Sequence, residues 1–262
     1  MIDIGANLAS ESFYDDIDEV LVRARQAHVE QIIVTGSSVL SSVAALKLAR
    51  LHPGYLFSTA GIHPHEADNF KADDIATFSE LLADPQVVAI GETGLDFNRN
   101  FSSKENQISA FETHLELATK LEKPLFLHER DAFETLYPIM RNHHQLCNRS
   151  VVHCFTGSKH ALQHYLDLGC YIGITGWICD KKRGQQLREI IQYAPLDRLL
   201  IETDAPYLTP HKEKLQKQLK RKHRNEPWTL EYTAKALAEA TANSCEKVVE
   251  QTTKNARNLF KL

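Results

Sequence analysis

The chain has 262 residues, 43% of them hydrophobic, with 30 lysines and arginines against 34 aspartates and glutamates; this suits a single α/β domain over residues 1–262 and excludes a chain that is basic throughout. Five cysteines without a CxxC pair exclude a disulfide framework and point to a reducing, cytoplasmic setting. No apolar run approaches the roughly 20 residues that a membrane span needs, and the N-terminus lacks a basic stretch leading into an apolar one.

In chain order, Ile2 to Ile4 is a short strand, and apolar residues at helical spacing predict a helix from Asp15 to His28. Strand Gln31 to Thr35 follows, then a helix capped by Gly36-Ser37-Ser38 and running to Leu51, strand Leu56 to Ala60, and the loop Gly61-Ile62-His63-Pro64-His65. The alternation continues with helix Asp73 to Ala83, strand Val87 to Gly91, helix Lys104 to Leu121, strand Pro124 to Leu127 and helix Ala132 to Arg141. Strand Val151-Val152, helix Lys159 to Leu168, strand Tyr171 to Ile174, helix Gly184 to Tyr193 and strand Leu199 to Ile201 complete eight strands, and Thr229 to Thr241 and Ser244 to Phe260 read as two closing helices. Eight strands alternating with helices predict a closed parallel (β/α)8 TIM barrel, with an open doubly wound sheet sharing most of the local patterns.

Four apolar runs each deliver a metal-type side chain at the same strand end: Glu92, His128, His153 and Asp204. They are separated by one, one and two βαβ units of about 30 residues, which places all four on the carboxyl rim where such folds bind ligands. Imidazole and carboxylate donors bind divalent ions, and a shared carboxylate can hold two. Any one strand-end histidine is more often packing than ligand; four in register point to a metal site. His63 and His65 face the same rim as substrate contacts or supports for the ligands, or else as a rigid polar loop. Arg130 suits a phosphate or a rim salt bridge, and Asp96 orients a loop or merely forms a turn. His211 to Arg224 holds Lys212, Lys214, Lys217, Lys220, Arg221, Lys222 and Arg224 against a single acid, Glu213. It is either a track for a polyanion, with Lys220, Arg221, Lys222 and Arg224 as phosphate contacts, or a solvated charge run. Trp177, Phe155 and Tyr207 follow strands and either stack bases or pack. His143-His144 reads as a solvated helix end.

Glu92-Thr-Gly-Leu-Asp96, His128-Glu-Arg130, His153-Cys-Phe-Thr-Gly157, Glu202-Thr-Asp-Ala-Pro206 and Arg224-Asn-Glu-Pro227, in this order across nearly the whole chain, resemble the TatD-like metal-dependent deoxyribonucleases. The resemblance implies a barrel of the metal-dependent amidohydrolase type and divalent-metal-dependent phosphodiester hydrolysis from the 3′ end of single-stranded DNA or RNA, with magnesium as the usual ion and no obligatory protein partner. Many relatives open with Asp-x-His-x-His, whereas Asp3-Ile4-Gly5-Ala6-Asn7 has glycine and asparagine at the histidine positions. One ion is therefore expected in a good nest of Glu92, His128 and His153, and a weaker second at Glu92, Asp204 and Asn7, favouring magnesium or manganese over zinc. Asp204, Glu92 and His63 are the expected catalytic groups, with Arg130 on the phosphate. Histidines at positions 5 and 7 are expected to complete a tight second site unless Gly5 is glycine because a neighbour fills that space. Two rivals remain: a lactonase or amidase on the same barrel, which the basic segment argues against, and a non-catalytic binding protein.

Overall fold

The computed structural model describes residues 1–210, 221 and 224–262. Eight parallel strands form one sheet in sequence order: β1 Ile2–Ala6, β2 Gln31–Val34, β3 Leu56–Ala60, β4 Val87–Asp96, β5 Leu125–Arg130, β6 Ser150–Val152, β7 Tyr171–Ile174 and β8 Leu199–Ile201. The order without crossovers between distant strands is that of a barrel. Its seam is stitched beyond the end of β8, where Asp204 N donates to Gly5 O at 2.8 Å and Asn7 N to Ala205 O at 2.6 Å. Asp3, fully buried, reinforces the seam by accepting from both the amide and the hydroxyl of Thr203. The open-sheet alternative is thereby set aside.

Between the strands lie helices α1 Ile17–Gln26, α2 Val39–Leu51, α3 Asp74–Ala83, α4 Lys104–Leu121, α5 Phe133–Asn142, α6 His144–Cys147, α7 Lys159–Asp167 and α8 Gln185–Ile191. Serines start several of them: Ser38, within the expected cap, forms a reciprocal cap with Ser41 on α2, and Ser103 and Ser158 cap α4 and α7. Side chains from alternate strand positions, Ile2, Ile4, Ile33, Val88, Phe126 and Leu200, fill the barrel interior, and Leu259 and Phe260 from the last helix, Cys245–Phe260, pack against them. A second apolar layer joins the outer strand faces to the helices. The end opposite that helix is left for polar chemistry.

Two strands run further than the apolar runs that signalled them. β4 continues through Glu92 to Asp96 and stays paired with β5, Gly94 opposite His128 and Asp96 opposite Arg130. Gly91 and Gly94 make this possible: both have strongly positive φ, 138° and 140°, and a Cβ on either would collide with a β5 carbonyl, that of Phe126 or His128. The expected strands ended at Gly91 and Leu127, so Glu92 and His128 sit within rigid strands rather than in the loops beyond them.

A buried ion cluster anchors α1 to the chain entering the terminal helices. Arg224 is 7% exposed; its two terminal nitrogens donate to Asp16, Glu226 and the Ser12 carbonyl, while Arg23 pairs with Glu226 at 2.7 Å. Asn225 beside it donates to Thr203 O at 2.9 Å, so the cluster also steadies the segment that carries Asp204.

Candidate metal centre and its cleft

Glu92 lies inside β4 and His128 inside β5, His153 is the first residue past β6, and Asp204 follows β8. One oxygen is the hub of the site. Glu92 Oε1 stands 2.8 Å from His128 Nδ1, 2.8 Å from His153 Nε2 and 3.3 Å from His63 Nε2. Ligand atoms of His63, Glu92 and His128 all lie within 4.8 Å of one another, a spacing that a single divalent ion can bridge.

The hydrogen bonds on the far side of each ring separate the three imidazoles. The His65 amide donates to His63 Nδ1 at 3.0 Å, so in neutral His63 the proton is on Nε2 and that atom is a donor, without a lone pair for an ion. His153 has the reverse arrangement: Nδ1–H donates to the wholly buried Glu202 carboxylate at 3.4 Å, which turns the Nε2 lone pair toward Glu92. In His128, Nε2 is buried without a hydrogen bond and faces Asp96 Oδ2 at 3.4 Å, so a proton there meets a carboxylate, and the Nδ1 lone pair lies between Glu92 Oε1 at 2.8 Å and the His63 Nε2–H at 3.2 Å. Two imidazole lone pairs converging on one carboxylate oxygen repel unless a cation or shared protons lie among them. That donor set, one carboxylate and two nitrogens oriented by further carboxylates, fits a divalent ion.

Without an ion, protons take that place. Burial disfavours every charge here, yet the neighbouring histidines hold the Glu92 carboxyl well below its usual range, and Glu92 with Glu202 lifts His153 well above its own. His128 is also raised against its burial, by Asp96 and Glu92, whereas burial lowers His63. Asp204 behaves differently. Burial, with Glu92 and Glu202 close by, pushes it up to about 7, although His153 and the Asn7 amide, 3.1 Å from Oδ1, pull the other way.

These groups open into a cleft of about 430 Å³ whose walls include Asn7, His63, His65, Arg130, Trp177 and Tyr207. His65 Nε2 pairs with Asp96 Oδ2 at 2.7 Å, and Arg130 donates to Thr156 Oγ1 at 2.7 Å with its side chain 37% exposed. Of the basic segment, Lys212, Lys214, Lys217, Lys220 and Lys222 lie outside the described residues. Arg221 is exposed and paired with Asp15 at 3.0 Å. Arg224 departs from the expected phosphate contact: it is buried in the ion cluster described above and does not line the cleft. Phe155, 2% exposed, belongs to the core, which removes it as a stacking surface.

The family model for TatD related DNase matches residues 2–261. The chain belongs to that family. It is 46% identical over 262 residues, the full length of both chains, to the 3′-5′ ssDNA/RNA exonuclease TatD of Erwinia tasmaniensis, and 44% identical, again over both full lengths, to the protein of the same name in Edwardsiella piscicida. Among solved structures it is similar to the TatD homolog YJJV of Escherichia coli, at 28% identity and TM-score 0.90, covering 100% of this chain and 98% of that one. A TatD family hydrolase of Entamoeba histolytica matches at 28% identity and TM-score 0.87, covering 99% and 97%.

Seen as a TatD barrel, the altered first strand has a physical cause. A Cβ on Gly5 would lie 2.5 Å from Glu202 Oε2 and 2.9 Å from Phe126 Cζ. Glu202 thus fills the space that a histidine at position 5 needs, and Asn7 spends its amide on Asp204. The expectation that two histidines complete a tight second site gives way to its stated exception. Glu202, which also accepts the Cys154 amide at 2.6 Å, is the site residue that strand counting missed. The signal is present in the sequence: Glu202 directly follows the apolar run Leu199 to Ile201, as His153 follows Val151-Val152.

Proposed function

We propose that this protein is a divalent-metal-dependent 3′–5′ exonuclease that hydrolyses phosphodiester bonds in single-stranded DNA and RNA. One observation carries the reading beyond family membership: His128 Nδ1 and His153 Nε2 converge on one Glu92 oxygen in the cleft that Asp204 also lines. The relatives named as 3′-5′ ssDNA/RNA exonucleases, matched over their full length, supply the substrate class. Glu92, His128 and His153 would hold the principal ion, and Glu92 with Asp204 a weaker second. With Glu202 in the place of a first-strand imidazole, the open side offers carboxylate and water, which suits magnesium or manganese. A divalent ion there supplies Lewis-acid polarisation of a phosphoryl oxygen and of the attacking water.

The chain's own groups do the remaining work. Asp204, beside the hub and held by the Asn7 amide, is placed to accept the proton of the attacking water. Water adds to phosphorus as the P–O3′ bond breaks; the leaving 3′ oxygen receives a hydrogen bond from His63 Nε2–H, a donor because the His65 amide occupies Nδ1, and takes its proton from solvent. Arg130 offers its half-exposed guanidinium to a non-bridging oxygen, while Asp96 and Glu202 keep the two ligand rings in place. The five free thiols favour a reducing cytoplasm, and no helix among the described residues is long and apolar enough to cross a membrane. A 5′-labelled single strand tests the proposal: magnesium or manganese should give a ladder shortening from the 3′ end, chelator should stop it, and an intact strand with both ions would refute it.

A further inference from the structure

The two sides of the cleft differ in chemistry. Strands β3 to β6 bring imidazoles, Glu92 and Arg130, whereas the chain after β7 and β8 brings Trp177 and Tyr207 beside Asp204. Trp177 sits in the turn Gly176–Cys179, its ring fixed by Nε1 donating to Arg183 O at 3.0 Å. Tyr207 is held close to Asp204, its amide donating to Asp204 O at 2.9 Å, and it remains 60% exposed. Among the described residues no ring or cation covers it. A large aromatic left bare inside a polar cleft, on a backbone tied to an acid of the metal centre, is placed for a ligand rather than for the core.

A nucleotide has the same two halves, an anionic phosphate and a flat base. Resting on the proposed nuclease activity, we infer that Tyr207 and Trp177 form a nucleobase subsite, which stacks a base next to the scissile phosphate while the charged side takes the phosphate. Stacking tolerates every base because each has a π-face, so this subsite recognises a base without reading its identity. It makes the enzyme selective for intact nucleotides over a bare sugar-phosphate backbone.

Single strands with an abasic sugar at the 3′-terminal or the penultimate position test this against the intact strand. The wild type should lose about tenfold in kcat/KM when one of those two bases is missing. Tyr207→Leu and Trp177→Leu should lose a similar factor on the intact strand and become less sensitive to that base, while Tyr207→Phe keeps the wild-type pattern. In a Trp228→Phe background Trp177 is the single tryptophan, and its fluorescence should respond to dAMP but not to deoxyribose 5-phosphate. A wild type indifferent to both abasic positions, or leucine variants that keep the full base dependence, would overturn the subsite. No hydrolysis of any strand by the wild type would instead overturn the proposed function, and the fluorescence response then still decides whether a base binds.

Discussion

Two buried clusters of charge in this barrel invite comparison. Around Arg224, two guanidiniums meet two carboxylates, Asp16 and Glu226, and opposite charges face each other at 2.7 to 2.8 Å. Around Glu92, carboxylates outnumber anything permanently cationic, and two imidazole nitrogens crowd one oxygen, so the balancing charge must come from shared protons or an ion. The first cluster is balanced in charge as it stands, with Arg224 Nε left unpaired among the described residues, and ties α1 to the last part of the chain. The second becomes complete only with added positive charge. Burial alone therefore does not mark a functional site; a buried set of donors whose partners conflict does.

The comparison breaks most visibly through Glu92. Glu92→Gln removes the hub charge without changing its shape, so turnover should fall by about a thousandfold or more while the thermal transition stays near that of the metal-free wild type. Steady-state assays beside calorimetry check both halves. Arg224→Met should do the opposite: loss of a buried guanidinium leaves Asp16 and Glu226 with Arg23 as their single ion-pair partner among the described residues and should cost about 3 kcal/mol in a urea titration, with metal binding retained by the folded fraction.

A third contrast lies in His114 on α4, buried outside both clusters. Its Nδ1–H donates to Ala110 O at 2.6 Å and its Nε2 accepts from Ile62 N at 3.1 Å, which holds the residue preceding His63. Both nitrogens are satisfied only in the neutral ring, and burial lowers its pKa to about 4. The unfolded chain takes up the proton near pH 6.5, so stability should decline as pH falls from about 6.5 to about 4, by roughly 3 kcal/mol. His114→Gln should remove that part of the slope, read as the difference between urea midpoints of the two proteins across pH. The smallest effect is expected from Asn7→Ala. It removes one neutral donor from Asp204 Oδ1, worth about 1 kcal/mol, and should slow turnover several-fold without altering stability beyond that amount.

Much of the frame was legible from residues alone. Short apolar runs at βαβ spacing marked all eight strands, because a parallel barrel strand is buried on both faces and needs no alternation. The placement of Glu92, His128, His153 and Asp204 followed, since the carboxyl rim collects whatever comes after each run. What was not legible depended on contacts across the barrel. Nothing local tells that Gly91 and Gly94 press against the β5 backbone and carry the strand through Glu92, or that Glu202 occupies the volume above Gly5. Arg224 looked like one more cation in a basic run; only the fold brings Asp16, over two hundred positions away, against it. Which nitrogen of His128 and of His153 faces the hub was equally beyond local pattern, because their far-side partners, Asp96 and Glu202, come from other parts of the barrel.

The central claim is that Glu92 is the hub of a divalent-ion site built with His128 and His153. Titration of manganese into the metal-free protein, followed by electron paramagnetic resonance of the free ion, tests it most directly. The wild type should take up manganese, and Glu92→Gln, His128→Ala and His153→Ala should each weaken that uptake severely, while Arg224→Met leaves the folded protein's uptake unchanged. Folded Glu92→Gln that binds manganese as the wild type does would contradict the account.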